Sequence, residues 1–139
     1  MTQTKWFQLM LFIANSYSCF SQEVPKTEVT DRVILNKNDS ICQFYTAKAP
    51  PRFKVNTDAE YTWYTQDTIL ITQGSFGGKL LHGSFKKFYP NHNLNEEGKY
   101  NYGQKDGAWK YWDPDGKLVE VITWKKGKKK HDAASAEKN

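Results

Sequence analysis

A 24-residue period constrains this chain more than any other feature. Residues 59–82, 83–106 and 107–130 align without a gap, and side-chain type recurs down the columns. Tyr61 falls on Phe85 and Trp109, Tyr64 on Phe88 and Trp112, and Leu70 on Leu94 and Leu118. Gly74 falls on Gly98, Phe76 on Tyr100 and Trp124, Pro90 on Pro114, and Gly103 on Gly127. A fixed period of this length is the mark of a stacked-repeat architecture.

Each period reads as a β-hairpin. Trp109-Lys110-Tyr111-Trp112 is short, aromatic and β-prone. Asp113-Pro114-Asp115-Gly116 is a turn: Pro presets φ, and Gly supplies a positive one. Lys117 to Trp124 then alternates as a second strand. Phe85 to Tyr89, the turn Pro90-Asn91-His92-Asn93, and Leu94 to Tyr102 repeat the scheme. Gln66-Asp67-Thr68 turns the degenerate first copy. Gly77-Gly78-Lys79 and Gly103-Gln104-Lys105-Asp106-Gly107 are expected to turn the chain between hairpins. The expected fold is all-β: an elongated antiparallel meander of stacked 24-residue hairpins, its rings lined along one face. The expected repeat core is Tyr61, Tyr64, Leu70, Phe76, Phe85, Phe88, Leu94, Tyr100, Trp109, Trp112, Leu118 and Trp124. Gly74, Gly83, Gly98, Gly103, Gly107 and Gly116 are the expected turn glycines.

The pattern Gly98-x-Tyr100, Gly103, Asp106-Gly107-x-Trp109-x-x-Trp112, Gly116-x-Leu118 resembles the MORN repeat. It is most similar to the bacterial variant found in exported proteins, some of which carry antitoxin-type labels. Gly74-x-Phe76, His82-Gly83-x-Phe85-x-x-Phe88 and Leu94 match a second copy, and Tyr61-x-x-Tyr64 with Leu70 a degenerate one. The resemblance covers residues 59–130 and implies a one-layered β-meander that serves as a scaffold or binding surface. Eukaryotic members are associated with membranes and phospholipids. This chain departs from the pattern after Trp124, where Lys128-Lys129-Lys130-His131 replaces the next Gly-x-aromatic. The last copy is therefore incomplete, with an edge left open or blunted by lysine.

Residues 22–58 differ in composition. Arg32 to Leu35 and Ile41 to Tyr45 are expected as short strands capping the first repeat. Thr46 to Arg52 holds Pro50-Pro51 and reads as a linker. Residues 1–21 read as an export signal: Lys5, the apolar run Trp6 to Ala14, then a small polar stretch. The run is shorter than the roughly 20 residues that span a bilayer. Cleavage is expected between Ser21 and Gln22, placing the protein in the periplasm, at the surface or outside the cell. The rivals are a lipoprotein anchored at Cys19, although a bulky Tyr17 precedes it, and a retained, membrane-associated N-terminus. After cleavage Cys42 stands alone, as a buried inert thiol or an intermolecular disulfide. Residues 131–139 have the composition of a disordered tail.

The net charge of +5 has a location. Residues 125–139 carry six lysines against two acids, and residues 22–124 balance 13 basic groups with 13 acidic ones. A basic end of this kind does not specify a nucleic-acid domain, and no nucleic-acid partner is expected. Lys125, Lys126, Lys128, Lys129 and Lys130 are candidate contacts for an anionic membrane surface, or simply a solvated end. His82, His92 and His131 share no metal-binding spacing and are read as turn and tail residues. Glu96 and Glu97 would point to opposite faces of a strand. No catalytic, cofactor or metal motif emerges. Asp39-Ser40-Ile41 and Asp67-Thr68-Ile69 resemble O-glycosylation acceptors of exported bacterial proteins. The expected function is that of a non-catalytic exported module binding a protein or envelope component. The alternatives are an antitoxin-like protein that sequesters a toxin, and anionic-lipid binding through the lysine-rich end. Intact-mass measurement of protein recovered from its native envelope should give a chain starting at Gln22; a diacylglyceryl adduct on Cys19 would reverse this.

Overall fold

The computed structural model describes residues 30–130, so the signal segment and the tail beyond Lys130 lie outside the described residues. These residues form nine strands in one antiparallel sheet, with no helix among them and no closure into a barrel. In chain order they are β1 (Thr30–Lys37), β2 (Ser40–Ala47), β3 (Glu60–Thr65), β4 (Thr68–Gln73) and β5 (Lys79–Phe88). β6 (Leu94–Asn101), β7 (Gln104–Trp112), β8 (Leu118–Lys125) and the short β9 (Lys128–Lys129) follow. The order across the sheet is β1-β2-β5-β6-β7-β8-β9, and β3 joins β4 and the start of β5.

From β5 onward the 24-residue period is written into the hydrogen bonds. Tyr89 N–H donates to Asn93 O, and Asp113 N–H to Lys117 O. Gly103 N–H donates to Leu81 O, and Gly127 N–H to Lys105 O. Tyr102 N–H donates to His82 Nδ1, and Lys126 N–H to Asp106 Oδ1. Each pair of bonds is offset by one period, with His82 and Asp106 in the same accepting role. Tyr102-Gly103 and Lys126-Gly127 are two-residue turns with both φ positive, the geometry that matches strand twist in a hairpin. Successive hairpin turns also touch: Asn91 and Asn93 side-chain amides both donate to Pro114 O.

The first copy departs from the period. A regular meander would pair β4 with β5. Instead β2 holds that edge of β5, with Phe44 opposite Phe85 and Ala47 opposite Leu80. The 30–47 hairpin therefore docks on the second copy, not the first. β3 reaches the other edge of β5 at Trp63–Leu80 and Tyr64–Lys79, and β4 is left as an edge. Passage between β4 and β5 depends on Gly78, where an added Cβ would lie 2.3 Å from Tyr64 O and 2.8 Å from the Trp63 ring. The turn Gln66-Asp67 also holds only two residues, both at positive φ. It sets Tyr64 opposite Ile69 and Trp63 opposite Leu70. In the later copies a bulge sets Phe88 opposite Leu94 and Trp112 opposite Leu118. Leu70 is thus turned to the surface, and Ile69 packs on the core in its place.

Apolar burial lies on both faces rather than on one. Leu80 and Leu81 are neighbours in sequence, face opposite ways, and are both fully buried. One face carries Leu35, Cys42, Phe44, Leu81, Phe85, Tyr100 and Trp109. Its rings pack at centroid distances of 6.3 Å (Phe44–Phe85), 5.6 Å (Phe85–Trp109) and 4.9 Å (Tyr100–Trp109). Around Leu80, Phe53 contacts Tyr61, Phe76 and Tyr102 at 5.8 to 6.0 Å. Thr46 and Ala47 belong to β2, and Phe53, just after Pro50-Pro51, is half-buried in this ring cluster.

Trp109 is fully buried, its Nε1–H donates to Lys99 O at 3.1 Å, and its indole lies on Gly98. A Cβ on Gly98 would sit 2.3 Å from that ring. Trp109→Ala should cost about 3–5 kcal/mol by emptying the centre of the stack. Gly98→Ala should cost about 1–3 kcal/mol by overpacking it. Urea unfolding of both variants checks this, and parental midpoints would refute the ring-stack account.

Candidate functional site

The expected repeat residues divide by position in the sheet. Tyr61, Phe85, Tyr100 and Trp109 are buried; Tyr64, Phe76, Phe88, Leu94, Trp112 and Trp124 are half-buried. Leu70 and Leu118 are exposed, which corrects their assignment to the core. Leu70 is displaced by the short turn, and Leu118 stands at the end of β8 that β9 does not reach. Of the expected turn glycines, Gly103 and Gly116 lie in turns, and Gly74 follows β4. Gly83, Gly98 and Gly107 lie inside β5, β6 and β7. The turn expected over 103–107 is only Tyr102-Gly103, so Lys105 belongs to β7.

That shift exposes a group the sequence did not signal. The Lys105 Nζ lies 4.0 Å above the Trp109 ring, 5.4 Å from that of Trp124 and 5.6 Å from that of Tyr111. It also donates to the Tyr111 hydroxyl at 3.1 Å. Burial pushes its ammonium below the usual lysine range, and the Glu96 carboxylate partly restores it. Burial also pushes the Tyr100 phenol well above its ordinary value, against a hydrogen bond with Thr62. The Tyr111 phenol is raised chiefly by burial, and then by Glu96. Lys105 thus caps the ring stack through cation–π attraction.

The remaining candidates are dispersed. His82 lies in β5 rather than in a turn, and stacks on Tyr102 at 4.2 Å. His92 occupies its turn at φ 68°, and His131 lies outside the described residues. Among the described residues no three His, Cys, Asp or Glu side chains gather as a metal site. Cys42 is buried in β2, and burial raises its thiol pKa. Glu97 pairs with Lys86 at 3.2 Å, whereas Glu96 faces Tyr111 across the strands. Ser40 and Thr68 each follow a hairpin turn. Two clefts of about 430 Å³ share Asp31 and Lys48: one is lined by Pro50, Pro51 and Tyr102, the other by Tyr64, Gln66 and Lys79. Asp31 is held below the usual carboxylate range by its hydrogen bond and ion pair with Lys79.

The surface is marked chiefly at the sheet edges. Large exposed apolar residues are Ile34 on β1, Leu70 and Ile71 on β4, and Leu118, Val119 and Val121 on β8, with Val55 in a loop. β1, β4 and most of β8 each lack a strand partner on one side among the described residues. Lys125, Lys126, Lys128, Lys129 and Lys130 are exposed at the β8–β9 end. No family model, curated protein or solved structure matches this chain.

The titrations give opposed alkaline signatures. Lys105, with a lowered folded pKa, binds fewer protons folded than unfolded, so its contribution to stability rises as pH climbs through that pKa toward about 10.4. Tyr100 and Tyr111, with raised folded pKa values, contribute stability that is present below about pH 10 and lost above it. Chemical unfolding across pH 8–12 should show Lys105→Met flattening the rise and Tyr100→Phe flattening the fall. Unchanged profiles in both variants would contradict the assigned environments.

Proposed function

We propose that this chain is a non-catalytic, exported binding module of the MORN-like repeat kind, acting on a protein or envelope component. The observation that carries the reading is where apolar surface is exposed. The rings are used inside the stacks, while Ile34, Leu70, Ile71, Leu118, Val119 and Val121 stand on strands with an open side. An open edge offers backbone donors and acceptors together with alternating side chains, the two components of recognition by strand addition. The 24-spaced hydrogen bonds at Tyr89/Asp113, Gly103/Gly127 and Tyr102/Lys126 support the repeat part of the reading. The short signal-like run before Gln22 supports export.

Site-specific photo-cross-linking in the native envelope tests it. A photoreactive residue at Ile34, Ile71 or Val119 should yield a discrete cross-linked species. One at Lys86, which is engaged with Glu97 away from the open edges, should not. Cross-linking only from Lys86, or from none of the four, would overturn the reading.

A further inference from the structure

The three open edges differ in what they can accept. The β4 edge, Thr68-Ile69-Leu70-Ile71-Thr72-Gln73, carries no charge to select a partner. The β1 edge mixes Asp31, Arg32 and Lys37, and Asp31 is engaged with Lys79. The β8 edge is selective. β9 covers it only at Trp124 and Lys125, and Lys130 N–H donates to Thr123 O at 2.8 Å. Backbone groups alternate sides along an antiparallel strand, so Val121, two residues before Thr123, presents its N–H and C=O to the open side, and the bulge opposite Tyr111-Trp112 falls at Val119. The Val121 and Val119 side chains are 49% and 66% exposed, and Leu118 beside them is 47% exposed.

Charge surrounds this stretch asymmetrically. Lys110 stands opposite Val121 on β7, Lys117 and Lys125 bracket the strand, and Lys128 and Lys129 form β9. The single carboxylate within β8, Glu120, lies 3.9 Å from Lys129 Nζ. Asp113, at the near turn, accepts the Asp115 and Lys117 N–H groups. We propose that β8 takes an extended acidic segment of a partner polypeptide as an added strand, its apolar residues against Leu118, Val119 and Val121 and its carboxylates toward Lys110, Lys117 and Lys125. The inference rests on the binding-module reading and deepens it.

Two other occupants fit less well. A second copy paired antiparallel about Glu120 or about Val121, ring faces aligned, sets Glu120 against Glu120 or Lys117 against Lys125. Like charges directly opposite are destabilising. The chain's own His131-Asp132-Ala133-Ala134-Ser135-Ala136 is composed mainly of residues depleted in strands.

The test uses the full chain and two ten-residue peptides, one alternating Val with Glu and the other alternating Val with Lys. Amide exchange at Val121 and fluorescence anisotropy of the labelled peptide are the readouts. The Glu peptide should bind and slow exchange at Val121 roughly tenfold or more, and high salt should reverse this. The Lys peptide should leave exchange unchanged. Val121→Pro removes an outward N–H without removing a bond to β7, and should abolish binding of the Glu peptide. Lys110→Glu, at an exposed site, should weaken the protection and guards against a folding defect in the proline variant.

Several outcomes would overturn the inference. Protection of the Val121 amide without peptide would indicate the chain's own tail. Protection that grows with protein concentration would indicate a second copy. Protection by anionic vesicles but not by peptide would indicate a membrane surface. Undiminished binding of the Glu peptide to both Val121→Pro and Lys110→Glu, or no protection of Val121 in the parent, would also overturn it. If the Glu peptide fails while edge cross-linking succeeds, the binding-module reading stands and this inference alone falls.

Discussion

The indole of Trp109 lying flat on Gly98 is the contact on which the rest of the sheet depends. A sheet without a second layer has few ways to bury apolar area, and flat rings that bridge neighbouring strands are the most effective. Trp109 does this on three sides, reaching Phe85 and Tyr100 through ring contacts, Lys99 through its N–H, and Lys105 through its face. Only a residue without Cβ leaves room for it, so glycine on one strand and a ring on the next form a single unit. Lys105 then closes a surface that a following repeat would otherwise have to cover. That role explains why a lysine sits half-buried, its charge favoured by three ring faces, the Tyr111 hydroxyl and Glu96.

A second constraint, at the start of β5, sets the outline of the molecule. Because β2 takes the edge that β4 would hold in a regular meander, the β3–β4 hairpin must approach from the other side. Both faces of Leu80-Leu81 are then covered, and so are both faces at Thr46-Ala47 and Tyr61-Thr62. The same choice leaves β4 unpaired along its outer side. Among the described residues, three open edges, rather than the two of a simple meander, follow from one exchange of neighbours.

Much of this was legible in the sequence, and the failures have particular causes. The all-β class and the hairpin turns could be read because ring, turn and leucine positions recur at a fixed offset, and local turn chemistry enforces them. Leu70 was misplaced because residue type was conserved while turn length was not, and one residue of register reverses a strand's faces. The neighbour exchange at β5 was invisible because Ile41-Cys42-Gln43-Phe44 carries a strand pattern but no address. Phe53 had no periodic partner to mark it. Lys105 was hidden in a run, Gly103 to Gly107, whose glycines suggest a turn; the turn closes in two residues and the remainder is strand.

The distribution of charge connects the fold to the surface it offers. Residues 22–124 are electrically balanced, so the net positive charge gathers beside the last long strand. Lysine at an exposed edge is usually protection against promiscuous pairing, because it opposes a second identical edge. Here Lys117 and Lys125 stand at the ends of β8, whereas Val119 and Val121 occupy its middle. Charge at the ends opposes an identical edge wherever Lys117 meets Lys125, and leaves the Val121 backbone groups clear. In the proposed docking the same lysines face the carboxylates of an acidic strand, so the charge that opposes an identical edge is the charge that favours the partner.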